Sequence, residues 1–255
     1  MLRCLDLAQL GLGSTAPNPS VGCVIVHNNK IIGEGYTSPY GGAHAEVNAI
    51  NSVGDASLLP ASTLYVSLEP CAHYGKTPPC ANLIVNKKIK RVVVACLDPF
   101  AKVNGAGIKM LMQAGIDVTV GVLEEEALEQ NRRFITFHQE KRPYIILKWA
   151  ETADGFVDGI RTSSTDPSLK ITGDTANILV HKWRSEEAGI MVGKNTAMLD
   201  NPTLTTRKYK GKNPIRILLD EKSETPQTAN IFNSEAETIV ISENTHNLRS
   251  VLAEL

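Results

Sequence analysis

Apolar residues recur at helical spacing through Leu2, Leu5, Leu7, Ala8 and Leu10, and the run stops at Gly11 and Gly13, which predicts an N-terminal amphipathic helix. The pattern then changes. Val21-Gly22-Cys23-Val24-Ile25-Val26 and Lys30-Ile31-Ile32-Gly33-Glu34-Gly35 flank Asn28-Asn29, so a hairpin is expected there. A helix should open near His44, strands should cover 63–68 and 91–96, helices should lie near 80–88 and 107–114, and a further strand near 117–122. Such alternation implies a central sheet between helical layers. A helix over about 124–138, rich in Glu at its start and Arg toward its end, suits the helix dipole and reads as a connector. Arg142-Pro143 breaks it, and Tyr144-Ile145-Ile146-Leu147-Lys148-Trp149 predicts a new strand. The boundary falls near 141, giving units 1–140 and 141–255; no repeat, low-complexity tract or heptad is present.

Composition narrows the classes. A chain of 255 residues is long for one average domain, and 42% apolar with 21% charged residues is ordinary globular composition. A net charge of −1 offers no field to gather nucleic acid, so an anionic partner must be held locally. Five cysteines, an odd number, argue for a reducing compartment over a disulfide framework. No run approaches the ~20 apolar residues of a membrane span, and no signal-peptide stretch begins the chain, so a soluble, cytoplasmic protein is expected.

The chemistry concentrates in two short segments, His44-Ala45-Glu46 and Glu69-Pro70-Cys71 through Pro79-Cys80. His44, Cys71 and Cys80 supply three zinc ligands and leave the fourth tetrahedral position to water, the pattern of a catalytic site. Glu46, two residues from the histidine, is placed to take that water's proton. Residues two apart do not share a face of a regular helix, so His44 and Glu46 must converge at an irregular helix start. Cys71 should follow a strand's end and Cys80 begin a helix, on the rim where sheet proteins of this class place their sites. The remaining cysteines and the histidines at 27, 138, 181 and 246 read as buried or surface residues without a metal. His73 could contact substrate or pack a loop. Gly105-Ala106-Gly107 lacks a third glycine at dinucleotide-binding spacing and reads as a loop.

A His-x-Glu followed by Pro-Cys-x-x-Cys marks the zinc nucleobase deaminases, but here eight residues separate the cysteines. The spacer Cys71-Ala-His-Tyr-Gly-Lys-Thr-Pro-Pro-Cys80 strongly resembles the deaminase half of the bifunctional deaminase–reductase family of riboflavin biosynthesis. Residues 141–255 resemble its reductase half in Lys148-Trp-Ala-Glu-Thr-Ala-Asp-Gly155, Ile171-Thr-Gly173, Arg184-Ser185, Val192-Gly-Lys-Asn-Thr196 and Leu199-Asp-Asn-Pro-Thr-Leu-Thr-Thr-Arg207. The resemblance implies a cytidine-deaminase-like three-layer α/β/α domain, then a partial dihydrofolate-reductase-like α/β domain. It implies zinc and NADPH as cofactors. The implied activities are hydrolytic deamination of 2,5-diamino-6-(5-phosphoribosylamino)pyrimidin-4(3H)-one and reduction of its ribosyl group.

By the same resemblance Asn18, Lys76 and Asp98 contact the deaminase substrate, although Pro17-Asn18-Pro19 alone would be an ordinary turn. Glu151, Lys170, Thr196 and Asp200 align with cofactor-contacting positions, and Ser168, Arg184, Leu204 and Arg207 with substrate-contacting ones. Arg184 and Arg207 could hold a ribose phosphate bidentately; without the resemblance they would be solvated arginines. The family continues for several strands and a glycine-rich pyrophosphate loop, so the second domain is expected to be truncated at Leu255, with impaired reductase activity, and Met1 to fall inside the family's first helix. A phosphoribosylated pyrimidine is the expected partner, with neither nucleic acid nor membrane; a homo-oligomer is compatible with the sequence. Two rival readings stand beside this one. A nucleic-acid or nucleoside deaminase would want a basic face or the shorter spacer, and a zinc-stabilised binding module without catalysis would need a fourth protein ligand.

Overall fold

Asn28 and Asn29 both take left-handed backbone, with φ of 47° and 60°, which lets the chain reverse tightly between β1 (Gly22–His27) and β2 (Lys30–Tyr36). The computed structural model describes residues 1–74, 78–100 and 104–243. It separates into two units, Met1–Tyr144 and Ile145–Leu255.

In the first unit α1 (Leu2–Gln9) precedes the hairpin, and α2 (Ala45–Asn51) and a 3₁₀ segment (Ala56–Ala61) follow it. Then come β3 (Thr63–Leu68), α3 (Cys80–Asn86), β4 (Arg91–Cys96), α4 (Ala106–Gln113), β5 (Asp117–Val120), α5 (Glu124–Gln130) and α6 (Arg132–Glu140). The strands order as β2-β1-β3-β4-β5, with β1 antiparallel to both neighbours and β3, β4 and β5 parallel. Alternation along β1 serves two layers: Cys23 and Ile25 join the core with Ala45, Ala49, Leu64 and Ile84, while Val24 packs with Cys4 and Leu7 of α1. Glycines set the approach of α2. A Cβ on Gly35 would lie 2.3 Å from the Ala49 nitrogen and 2.7 Å from the Ala45 oxygen, so β2 must present bare backbone where α2 crosses it.

The single connector helix expected over 124–138 is two helices, α5 and α6. Asn131 breaks it, with φ −99° and ψ 18°; its buried side chain accepts a hydrogen bond from the Ser20 amide at 3.0 Å. A contact 111 residues away in sequence outweighs local helix periodicity.

The second unit contains α7 (Asp174–Glu186), β6 (Gly189–Gly193), α8 (Lys194–Asp200), β7 (Ile215–Leu219), a 3₁₀ turn (Asn230–Phe232) and β8 (Thr238–Ile241). Its described strands form a parallel sheet, β6-β7-β8, over a small core of Ala197, Leu204, Leu218 and Ile231. Residues 144–149 do not form the expected strand. Among the described residues they pair with no other strand, and Ile145, Ile146, Leu147 and Trp149 are exposed; a β pattern becomes a strand only where a neighbour takes its amides and carbonyls.

Candidate active site

His44 is the N-cap of α2, in extended backbone (φ −73°, ψ 163°), and Glu46 lies in the first turn. The change from extended to helical backbone between them turns both side chains to one place, which a continuous helix would not. Cys71 comes three residues after β3, Cys80 opens α3, and the Ala81 amide donates to the Cys71 carbonyl at 3.1 Å. His44 Nδ1 lies 3.6 Å from Cys71 Sγ and 3.4 Å from Cys80 Sγ, and the three ligand atoms all fall within 4.8 Å of one another. Zn–S and Zn–N bonds of about 2.3 and 2.0–2.1 Å at a tetrahedral angle require nitrogen–sulfur separations of about 3.5 Å. The donor set therefore fits zinc.

The thiols are unequal. Cys71 is held down to about 4, first by the hydrogen bond from the Cys80 thiol, with burial opposing and His44 adding to the effect. The Cys80 amide also donates to Cys71 Sγ at 3.3 Å. Cys80 is pushed far upward by donating to Cys71 and by burial, so in the metal-free site one proton stays on Cys80; metal binding would displace it. The His44 imidazole is raised by its hydrogen bond with Cys71, against burial.

Glu46 is 4% exposed. Burial, then the charge on Cys71, lifts its carboxyl to about 7, with His44 and Cys80 pulling the other way. A carboxyl poised near neutrality can both take and return a proton at ordinary pH. Asp98, past the end of β4, is buried; burial lifts it to about 6, the Phe100 amide bonding its Oδ1 at 2.8 Å opposes, and Glu69 adds to the rise. His73 sits between the cysteines, edge-on to Phe100 at 5.9 Å, and its buried Nδ1 has no hydrogen-bond partner among the described residues. Asn18 is half-buried in the turn after α1, its amide donating to the Thr15 carbonyl. Lys76 lies outside the described residues.

In the second unit Lys170, Thr196 and Asp200 line one concavity of about 900 Å³. That volume suits a large ligand. Glu151 is not on its wall; its carboxylate accepts from Trp149 Nε1 at 2.9 Å, and Trp149 is. Ser168 lines a neighbouring hollow of about 310 Å³ that also touches Asp200. Arg184, Leu204 and Arg207 line neither. Arg184 Nη1 donates to the Thr205 carbonyl at 3.1 Å, and burial, then Arg207, lowers its pKa. Arg207 donates to the Thr203 and Thr205 hydroxyls, and its amide donates to His181 Nδ1 at 3.0 Å. Leu204 is 5% exposed, its side chain in the core, so only its backbone is free to meet a ligand.

Three residues of consequence escape a reading of the sequence. Glu69, beside the ligand loop, has a carboxylate wholly engaged by backbone amides. Arg161 is paired with both Asp158 and Asp200, tying down a carboxylate on the large concavity. Arg216 in β7 is 0% exposed and donates to the Thr203, Asn230, Asn233 and Ala236 carbonyls and to Asn233 Oδ1. The only local signal was an arginine inside an apolar strand. Arg216→Leu would orphan these acceptors, and the second unit should lose about 3 kcal/mol or more. Both tryptophans, Trp149 and Trp183, lie in that unit, so urea unfolding followed by their fluorescence reads it; an unshifted midpoint would contradict the clamp.

Residues 1–96 match the cytidine and deoxycytidylate deaminase zinc-binding region, and residues 143–253 match the RibD C-terminal domain. The riboflavin biosynthesis protein RibD of Aquifex aeolicus is 46% identical over 243 residues, 94% of this chain and 67% of that protein. A crystal structure from Thermotoga maritima, described as a diaminohydroxyphosphoribosylaminopyrimidine deaminase/5-amino-6-(5-phosphoribosylamino)uracil reductase, superposes with a TM-score of 0.90 at 38% identity. It is covered to 76% by the whole of this chain. RibD of Acinetobacter baumannii gives a TM-score of 0.86 at 36% identity, over 98% of this chain and 70% of that one. The chain spans 58–67% of the length of the first curated relatives it matches. No described helix is long and apolar enough to cross a membrane.

Proposed function

The chain belongs to the RibD family of riboflavin-biosynthesis enzymes, and on that premise we propose that its first unit, about 1–140, deaminates a phosphoribosylated diaminopyrimidine by zinc-dependent hydrolysis. One observation carries the reading. Three zinc donors at tetrahedral spacing stand beside a buried carboxyl, Glu46, that is not itself among the ligands. A binding module would have no use for that carboxyl.

His44, Cys71 and Cys80 would hold zinc, which when bound supplies the Lewis acidity that makes water a nucleophile near neutral pH. Glu46 accepts the proton of the attacking water and delivers it to the leaving nitrogen, so ammonia departs and a carbonyl replaces the 2-amino group. Asp98, Asn18 and Lys76 orient the pyrimidine and its phosphoribosyl arm, and His73, whose Nδ1 has no partner among the described residues, adds a further contact. The second unit, about 141–255, we assign to the reductase part of the family: Lys170, Thr196 and Asp200, with Glu151, would hold NADPH, the hydride source, and Ser168, Arg184, Arg207 and the Leu204 backbone its substrate. All five cysteines are free, which supports a reducing, cytoplasmic setting.

The test is ammonia release from 2,5-diamino-6-(5-phosphoribosylamino)pyrimidin-4(3H)-one beside cytidine, deoxycytidine and adenosine in tRNA. The diaminopyrimidine nucleotide should win in kcat/KM by a factor of about a hundred or more, because a site built around polar groups rejects ligands that leave them unpaired. Preference for a nucleoside or for tRNA would overturn the assignment.

A further inference from the structure

Glu69 directly follows β3, the strand that leads to the ligand Cys71. Its carboxylate is 4% exposed and meets no cationic side chain among the described residues. Instead, one oxygen accepts from the amides of Asp98 at 3.3 Å and Gly105 at 2.9 Å, the other from Gly107 at 2.8 Å and Ile108 at 3.3 Å. Its own amide donates to the Cys96 carbonyl at 3.0 Å.

The Gly107 and Ile108 amides need an acceptor for a reason local to α4. The first amides of a helix have no partner within it, and the N-cap here, Gly105 at φ 84°, carries no side chain to serve them. Glu69 caps α4 from the segment just after β3, where a negative charge also suits the helix dipole. The approach is close enough to exclude a side chain: a Cβ on Gly107 would lie 2.0 Å from the Pro70 carbonyl oxygen.

We infer that Glu69 is a positioning residue of the deaminase, fixing the turn that carries Asp98 against the strand end that carries Cys71. The same carboxylate oxygen binds the amides of Asp98, just after β4, and Gly105, just before α4, and so ties these two points together. Asp98 in turn accepts from Phe100, whose ring lies edge-on to His73 and, at 5.0 Å, to His138. The Glu69 carboxylate bonds backbone amides and none of the three zinc ligands; it sets how far the Asp98 carboxyl stands from the metal side of the site. The inference rests on the deaminase reading for its kinetics, but its structural half does not.

The experiment compares Glu69→Gln, Asp98→Asn and the double variant in the full chain. Gln keeps one acceptor oxygen and turns a donor NH₂ toward two amides. Glu69→Gln should retain zinc, raise KM for the diaminopyrimidine nucleotide on the order of tenfold, and speed exchange of the amides of Asp98, Gly105, Gly107 and Ile108 without speeding it over α2. In the Asp98→Asn background the same change should cost almost nothing further, because the two act as one unit. Full additivity, zinc loss, or wild-type KM with wild-type exchange would each overturn the inference. Should Glu69→Gln not fold, Glu69→Asp, which keeps the charge on a shorter arm, should give the same non-additive pattern in milder form. If the wild-type chain releases no ammonia from this substrate, the functional reading fails, while unaltered exchange in the variant would separately refute the anchor.

Discussion

Glu46→Gln is expected to leave zinc in place and cut ammonia release by on the order of a hundredfold or more. The amide has the carboxyl's shape, so the first turn of α2 and the three ligands keep their positions, but it cannot accept the proton of the attacking water. Stability argues in the same direction. In the metal-free site burial, then the charge on Cys71, lifts the Glu46 carboxyl to about 7, which means that without zinc the folded site bears a penalty for its charge, and a neutral isostere removes it. After chelation the variant should melt no lower than the chelated parent, while with zinc bound it turns over far more slowly, a combination that loss of fold cannot produce. Zinc by elemental analysis, melting by calorimetry and ammonia by a coupled assay decide the matter together. Near-normal turnover with zinc bound would remove Glu46 from the mechanism.

What could be read from the sequence was what short-range chemistry dictates. His44, Cys71 and Cys80 stand out because few structural roles ask for one imidazole and two thiols in that order, and the structure gathers them within ligand distance. The hairpin was legible for a similar reason, since Asn28 and Asn29 tolerate positive φ. The failures share a different origin. Asn131 looks like one more helical position until Ser20 claims its side chain, and Tyr144–Trp149 has the composition of a strand but no partner among the described strands. Glu69 was invisible as an anchor because its partners are backbone amides 29 to 39 residues later, and amides carry no residue identity. Leu204 matched a motif by type, yet its side chain went to the core. Sequence motifs name the groups that react more readily than the buried groups that hold them.

Cys80→Ala should lose the metal and the activity together. Cys80 opens α3 with its side chain buried, and its sulfur stands 3.4 Å from His44 Nδ1; without it a histidine and one thiolate remain, too few for a tetrahedral site that also binds water. Cys71 loses a partner as well, since the Cys80 thiol is the first cause of its low pKa in the metal-free site. A metal that binds only the folded state stabilises it by mass action, so the parent should melt lower after treatment with a chelator. The variant should melt near the chelated parent and respond to chelator hardly at all. Cys4→Ala is the control. Its thiol, pushed up to about 12 by burial and bonded to the Tyr65 carbonyl, belongs to the packing of α1, so that variant should keep about one zinc per chain and full chelator sensitivity even if it melts lower. Stoichiometric zinc with undiminished ammonia release in Cys80→Ala would refute the ligand assignment. Metal lost from Cys4→Ala as well would mean that zinc retention follows general stability and not these three donors.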